Sequence, residues 1–204
     1  MSHPSETVTP TLYNFVTHKI HRLYGGHNAG SSASKKELSD LRQAVGQDPA
    51  KNPLAWQYVL TGDENIDFPD NYRGRGDEAS YGELATYMAL TLYAVHQQSE
   101  QRNMHTKDIS FGYSIGQLVA KRTPSIKKRF DALLQARNFS GIVYHARSLV
   151  QLLKQEELTF DYGRFTTDLY WLQHPRHRAK VITRWSRDFA YGYTRRPTNT
   201  STNN

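Results

Sequence analysis

The sequence predicts an all-α protein, and three observations carry that expectation. No stretch of the 204 residues alternates apolar and polar side chains with period two, as a half-buried strand would. Apolar residues recur instead at three- and four-residue steps, as in Ile126, Phe130, Leu133 and Leu134, which gathers them on one helix face. Helix starts are densely marked by Ser80 with Glu83, Thr123-Pro124, Asp161 and Pro175. The expected architecture is a helical bundle of roughly eight or nine helices in two packed halves. Those halves are residues 1–106, with a long 62–79 loop, and residues 107–192; a disordered tail, 193–204, follows.

Met1 to Thr9 is polar and reads as a frayed end. The first helix has Leu12, Val16, Ile20 and Leu23 inward and His18, His21 and Arg22 outward, and Gly25-Gly26 is expected to end it. GGHNAGSSAS, 25–34, reads as a flexible connector. Ser34 and Glu37 have capping-box spacing for a short helix through Leu38, Leu41 and Val45, which also carries Arg42. Asn52-Pro53 opens LAWQYVL, which stops at Gly62. The loop that follows holds Arg73 and Arg75, which could touch phosphate, but its aspartates and glutamates argue against strong anion binding. Ser80 and Glu83 then open YGELATYMALTLYAVHQQ, apolar enough for a buried central helix, with His96 packed near its end.

After a polar boundary at 97–110, the glycines of GYSIGQLVAKR allow close packing or a bend. Lys121 to Lys154 then forms a pair of antiparallel helices broken at Asn138-Phe139-Ser140-Gly141. Lys127, Lys128 and Arg129 flank or oppose the first apolar stripe. On the second helix Ile142, Ala146, Leu149 and Leu153 face inward, leaving Tyr144, Arg147 and Lys154 on the other side. Asp161 caps a helix with Phe165, Leu169 and Leu172. Pro175 starts the last, in which Val181, Ile182, Trp185 and Phe189 face the core and Arg176, Lys180, Arg184 and Arg187 form a second basic stripe.

The 26 Lys and Arg outnumber the 19 Asp and Glu, and the excess is uneven: residues 1–106 carry 9 basic and 12 acidic residues, residues 107–204 carry 17 and 7. A half that basic calls for a polyanionic partner, most often nucleic acid. The absence of cysteine excludes disulfides, thiolate catalysis and cysteine-ligated metal centres. No apolar run approaches the roughly 20 residues of a membrane span, and the N-terminus lacks the apolar core of a signal peptide, so a cytoplasmic protein without a membrane partner is expected.

Chemistry is not signposted. His174 and His177 are split by Pro175, His18 and His21 lack a third ligand, and no Gly-rich loop precedes Lys-Ser/Thr. No enzyme, metal or cofactor is expected. Two readings of the cations remain beside a merely solvated face. SIGQLVAKRTPSIKKRFDALL has two short helices split by a turn, and a helix-turn-helix regulator using 114–136 would read one duplex sequence. A backbone binder would instead show little sequence preference and steep salt dependence. Helix faces place Lys121, Arg122, Lys127, Lys128 and Lys154 in such a surface.

The order of motifs KKELSDLRQAVGQD, LTLYAVHQQ, ISFGYSIGQLVAKR, IKKRFDALLQA, HARSLVQLLK, DYGRFTTDLYWL and VITRWSRDFA resembles the CasB family, the small subunit of the type I-E CRISPR complex Cascade. The resemblance spans Lys35 to Phe189. It implies an all-helical, non-catalytic subunit of antiviral defence that sits in pairs along guide RNA and helps hold the R-loop. The implied partners are guide RNA, both strands of the target DNA, other Cascade subunits and a second copy of the chain. By matching motif positions, Arg42, Arg129 and Arg147 are the implied nucleic-acid contacts.

Overall fold

Tyr81–His96 carries apolar or small side chains on every face, and such a helix is stable only inside other helices. In the computed structural model, which describes residues 11–63 and 66–195, it does lie at the centre. The described residues form nine α-helices: α1 (Leu12–Asn28), α2 (Ser32–Ala44), α3 (Pro53–Leu60), α4 (Tyr81–His96), α5 (Phe111–Lys121), α6 (Ser125–Gln135), α7 (Phe139–Gln155), α8 (Tyr162–Leu172) and α9 (Pro175–Thr194). Strands are absent among these residues, apart from isolated bridges between Asp63 and Ile66 and between His105 and Phe160. The all-α expectation holds.

Helix α4 packs against α1, α2, α3, α7 and α8. Its start is the capping box expected from Ser80 and Glu83: the Glu83 amide donates to the serine hydroxyl, and the Glu83 carboxylate accepts from the Ser80 amide at 2.7 Å. Helix α1 lies on α8 and α2, α6 lies on α7, and α5 is pressed along α9. One apolar core takes in Phe15, Leu41, Tyr93, Phe160, Phe165 and Trp185, so it draws side chains from both parts of the chain. Thr123-Pro124 precedes α6, and Asn138 caps α7 through the Gly141 amide. Asp161 caps α8, accepting from the Arg164 amide at 3.0 Å.

Three boundaries differ from expectation. Helix α1 runs through Gly25 and Gly26 to Asn28, and α2 begins at Ser32 under an Ser31 cap, so Ser34 is a buried helix residue and not a cap. The reason is tertiary: a side chain at Gly26 would collide with Ser34, so this glycine lets α2 cross close to α1. The flexible connector expected over 25–34 shrinks to Ala29, Gly30 and Ser31, with Gly30 at φ +81. Helix α9 continues two residues past Gly192, so Tyr193 and Thr194 are helical and not part of a disordered tail. Arg195 follows the helix, and the remainder of the expected tail, 196–204, and the whole of the expected frayed end, 1–9, lie outside the described residues.

Candidate nucleic-acid interface

The packing of α7 dictates what it exposes. Ile142, Ala146, Leu149 and Leu153 are buried, so Tyr144 and Arg147 face outward and Lys154 is half-buried. The C-terminal end of α2 meets this face. Arg147 donates from Nη1 to the carbonyl of Val45 at 3.4 Å, a cation set against the negative end of a helix. Arg42, one turn earlier on α2, is half-buried, and burial pushes its guanidinium below its usual range. Burial likewise pushes the Lys154 ammonium down; the Glu100 carboxylate opposes this and the Arg42 charge adds to it. Arg42, Arg147 and Lys154 thus form one ridge, and none of them makes an ion pair among the described residues.

The adjoining cations divide into two kinds. Lys121, Lys128 and Arg129 are exposed without an ion pair among the described residues, and Arg129 reaches from α6 to α7, donating to the Ser148 hydroxyl at 2.5 Å. Arg122 is paired with Glu156, and Lys127 with Asp131 at 2.8 Å. The sequence expectation of cations clustered without acidic partners is therefore corrected at these two positions. The four-residue step from Lys127 to Asp131 was readable along the helix; the Arg122–Glu156 pair crosses 34 residues and was not.

On α9, Arg176, Lys180 and Arg187 are exposed, but Arg184 is not part of a uniform stripe. Its guanidinium is bound to the carboxylate of Asp168, which is 2 % exposed and also accepts from the Trp185 indole at 2.5 Å. Burial raises the Asp168 carboxyl above the usual carboxylate range, while Arg184, Trp185 and Arg164 work against that. Arg184 is a structural counter-ion. His174 and His177 are packing groups: His174 lies edge-on to Tyr81 and Tyr170, and His177 lies over Trp171 with ring centroids 4.4 Å apart. Among the described residues no three His, Asp or Glu side chains converge to hold a metal, and no helix is long and apolar enough to cross a membrane.

The geometry defines an all-helical protein whose distinctive surface is a cationic ridge. Residues 37–189 match the family model described as CRISPR-associated protein Cse2, and the chain belongs to that family, the one the order of motifs indicated. Its fold is similar to that of CasB from Thermobifida fusca, with a TM-score of 0.72 and 24% identity over 89% of this chain and 99% of that one. CasB from Thermus thermophilus aligns at 0.64 and 23% identity over 90% and 99%. A chain of a CRISPR RNA-guided surveillance complex aligns at 0.64 and 19% identity over 90% and 95%. No curated protein matches the chain.

Proposed function

We propose that this chain is the small subunit of a Cascade-type surveillance complex, and that it holds nucleic-acid backbone without catalysing a reaction on it. The observation that carries the reading is the meeting of Arg42, Arg147 and Lys154, brought together although Arg147 lies 102 residues beyond its Val45 partner. The charges of Arg42 and Lys154, close together and partly desolvated, repel, and a polyanion removes that cost. Lys121, Lys128 and Arg129 extend the surface, and Arg176, Lys180 and Arg187 offer a second one. Family membership supports the complex, and the likeness to a chain of a surveillance complex agrees with it. In RNA-guided recognition base pairing reads sequence and protein supplies backbone contacts that tip a nearly balanced strand exchange. Guide RNA, both strands of the opened target, the other subunits and a second copy of the chain are the partners this reading gives it.

Binding of the isolated protein to single-stranded and duplex oligonucleotides of two unrelated sequences, measured across a salt series, tests it. The expected result is weak binding without sequence preference whose affinity falls steeply with salt. Changing Arg42 and Arg147 together to Ala should lower the slope of log affinity against log salt by about two. A preference of ~10³ for one duplex sequence would instead establish the helix-turn-helix regulator over 114–136.

A further inference from the structure

Between the loop after α2, the middle of α4 and the first turns of α7, the bundle leaves an open groove of about 480 Å³, a volume typical of small-ligand sites. Its floor is apolar: Tyr87 and Met88 of the central helix are 4% and 3% exposed, and the Tyr87 hydroxyl donates to the Ala44 carbonyl. Tyr144 and Arg147, three residues apart on α7, share the same wall. Tyr144 is 73% exposed, more than any other large apolar side chain among the described residues. Asp48 is the acidic residue of the lining, and its carboxylate accepts from the Ala50 amide.

We propose that this groove receives the base of an unpaired nucleotide, which stacks on the Tyr144 ring while Arg147 holds the adjoining phosphate. The proposal rests on the backbone-binding reading above and adds a second kind of contact to it. Backbone contacts alone leave the bases of an unpaired strand in water, and an aromatic platform beside the cations binds any of them, because every base has a π face. Charge sets the orientation. Asp48 repels phosphate from the interior of the groove, whereas Arg147, with Arg42 and Lys154 along the same ridge, favours a strand running along the rim. An apolar side chain of a protein partner would fill the floor but leave that row of cations unmatched. A strand uses both.

The test is fluorescence anisotropy of the full chain with two labelled strands of equal length and phosphate count, one of oligothymidine and one abasic throughout. The base-bearing strand is expected to bind about tenfold tighter or more. Tyr144→Ala should erase that difference, Tyr144→Phe should keep it, and both should leave the salt slope unchanged. Tyr191→Ala, which removes another exposed ring on α9, should change nothing. Equal, salt-sensitive binding of both strands by the parent would overturn the stacking site and leave the backbone reading standing. Salt-insensitive or absent binding of both would overturn the two together. If Tyr144→Ala keeps the strand preference and impairs only assembly with protein subunits, a peptide occupies the groove and the proposal falls.

Discussion

Removing the Arg184 side chain leaves the Asp168 carboxylate almost fully buried, with the Trp185 indole and the more distant Arg164 as its remaining support. Losing one member of a buried pair costs several kcal/mol, but Arg184 is itself partly exposed, which screens the interaction. Arg184→Ala should therefore lower stability by about 2 kcal/mol, whereas Arg187→Ala, on the same helix with no ion pair among the described residues, should change it by less than ~0.5 kcal/mol. Urea unfolding of the two variants checks this, and equal losses would show that the Asp168 contact contributes nothing. His96 sets an acid limit on the fold. Burial pushes its imidazole down to about 3, with the Leu158 backbone opposing and the charges of Lys154 and Arg102 adding to the shift. His105 is lowered too, by burial first, with Asp161 opposing and His21 adding. Both folded values lie below that of an unfolded histidine, so the unfolded chain takes up protons first. For His96 the stabilisation is complete above pH ~6.5 and is lost as pH falls toward 3, at up to about 1.4 kcal/mol per pH unit, and His105 contributes a loss of the same sign. A urea midpoint that stayed constant from pH 7 to 4.5 would show that neither side chain is held neutral by the fold.

Helix α5 and helix α9 approach so closely that backbone meets backbone: a side chain at Gly116 would overlap the Phe189 carbonyl, and one at Gly192 would overlap that of Tyr113. Gly116→Ala and Gly192→Ala should each force the helices apart and cost on the order of 2 kcal/mol or more, since close-packed interiors do not yield to an added methyl. Gly25, also inside a helix, has nothing within 4 Å of its missing side chain. There Ala should stabilise by roughly 0.5–1 kcal/mol through helix propensity. Thermal unfolding of the three variants would separate these outcomes. The contrast also shows which element boundaries the sequence could reveal. Ser80 with Glu83, Asp161 and Pro175 act locally, through bonds or dihedrals within one turn, and each stands where local chemistry puts it. Gly26 and Gly192 looked like stops because the same residue type that frees a chain end also admits a neighbouring helix. Only the crossing partner, Ser34 or Tyr113, distinguishes the two uses.

Across the whole molecule, charge is unevenly divided along the chain, and the fold brings cations of the two halves together. Arg42 belongs to the acidic first half and yet stands beside Lys154 of the basic second half. Helical periodicity gave the outward face of α7, including Tyr144 and Arg147, because a face is a property of one element. It could not give the ridge, which exists only because α2 ends against α7. Nor could it separate Arg184, tied to Asp168, from Arg187 on the same helix, since the pairing depends on α8 lying alongside. The lifetime of the opened target, and not assembly, should depend on the cations of the ridge. If the ridge and the adjoining Arg129 hold backbone during strand exchange, Arg42→Ala, Arg129→Ala and Arg147→Ala combined should leave the fold intact, because none of the three is fully buried or ion-paired among the described residues. The triple variant should still assemble, and guide should still pair with target, because pairing is carried by the bases. What should change is the lifetime of the opened state: without those backbone contacts, the displaced strand re-anneals sooner, and the loss should deepen as salt rises. Phe130→Ala or Trp185→Ala should act in the opposite order, costing on the order of 3 to 5 kcal/mol of stability through core cavities before any effect on strand lifetime is seen. Strand-opening lifetimes in the assembled complex, measured beside unfolding midpoints at two salt concentrations, distinguish the cases. A triple variant that folds, assembles and keeps the target open as long as the parent at moderate salt would show that the ridge is a solvated surface and that the backbone contacts lie elsewhere.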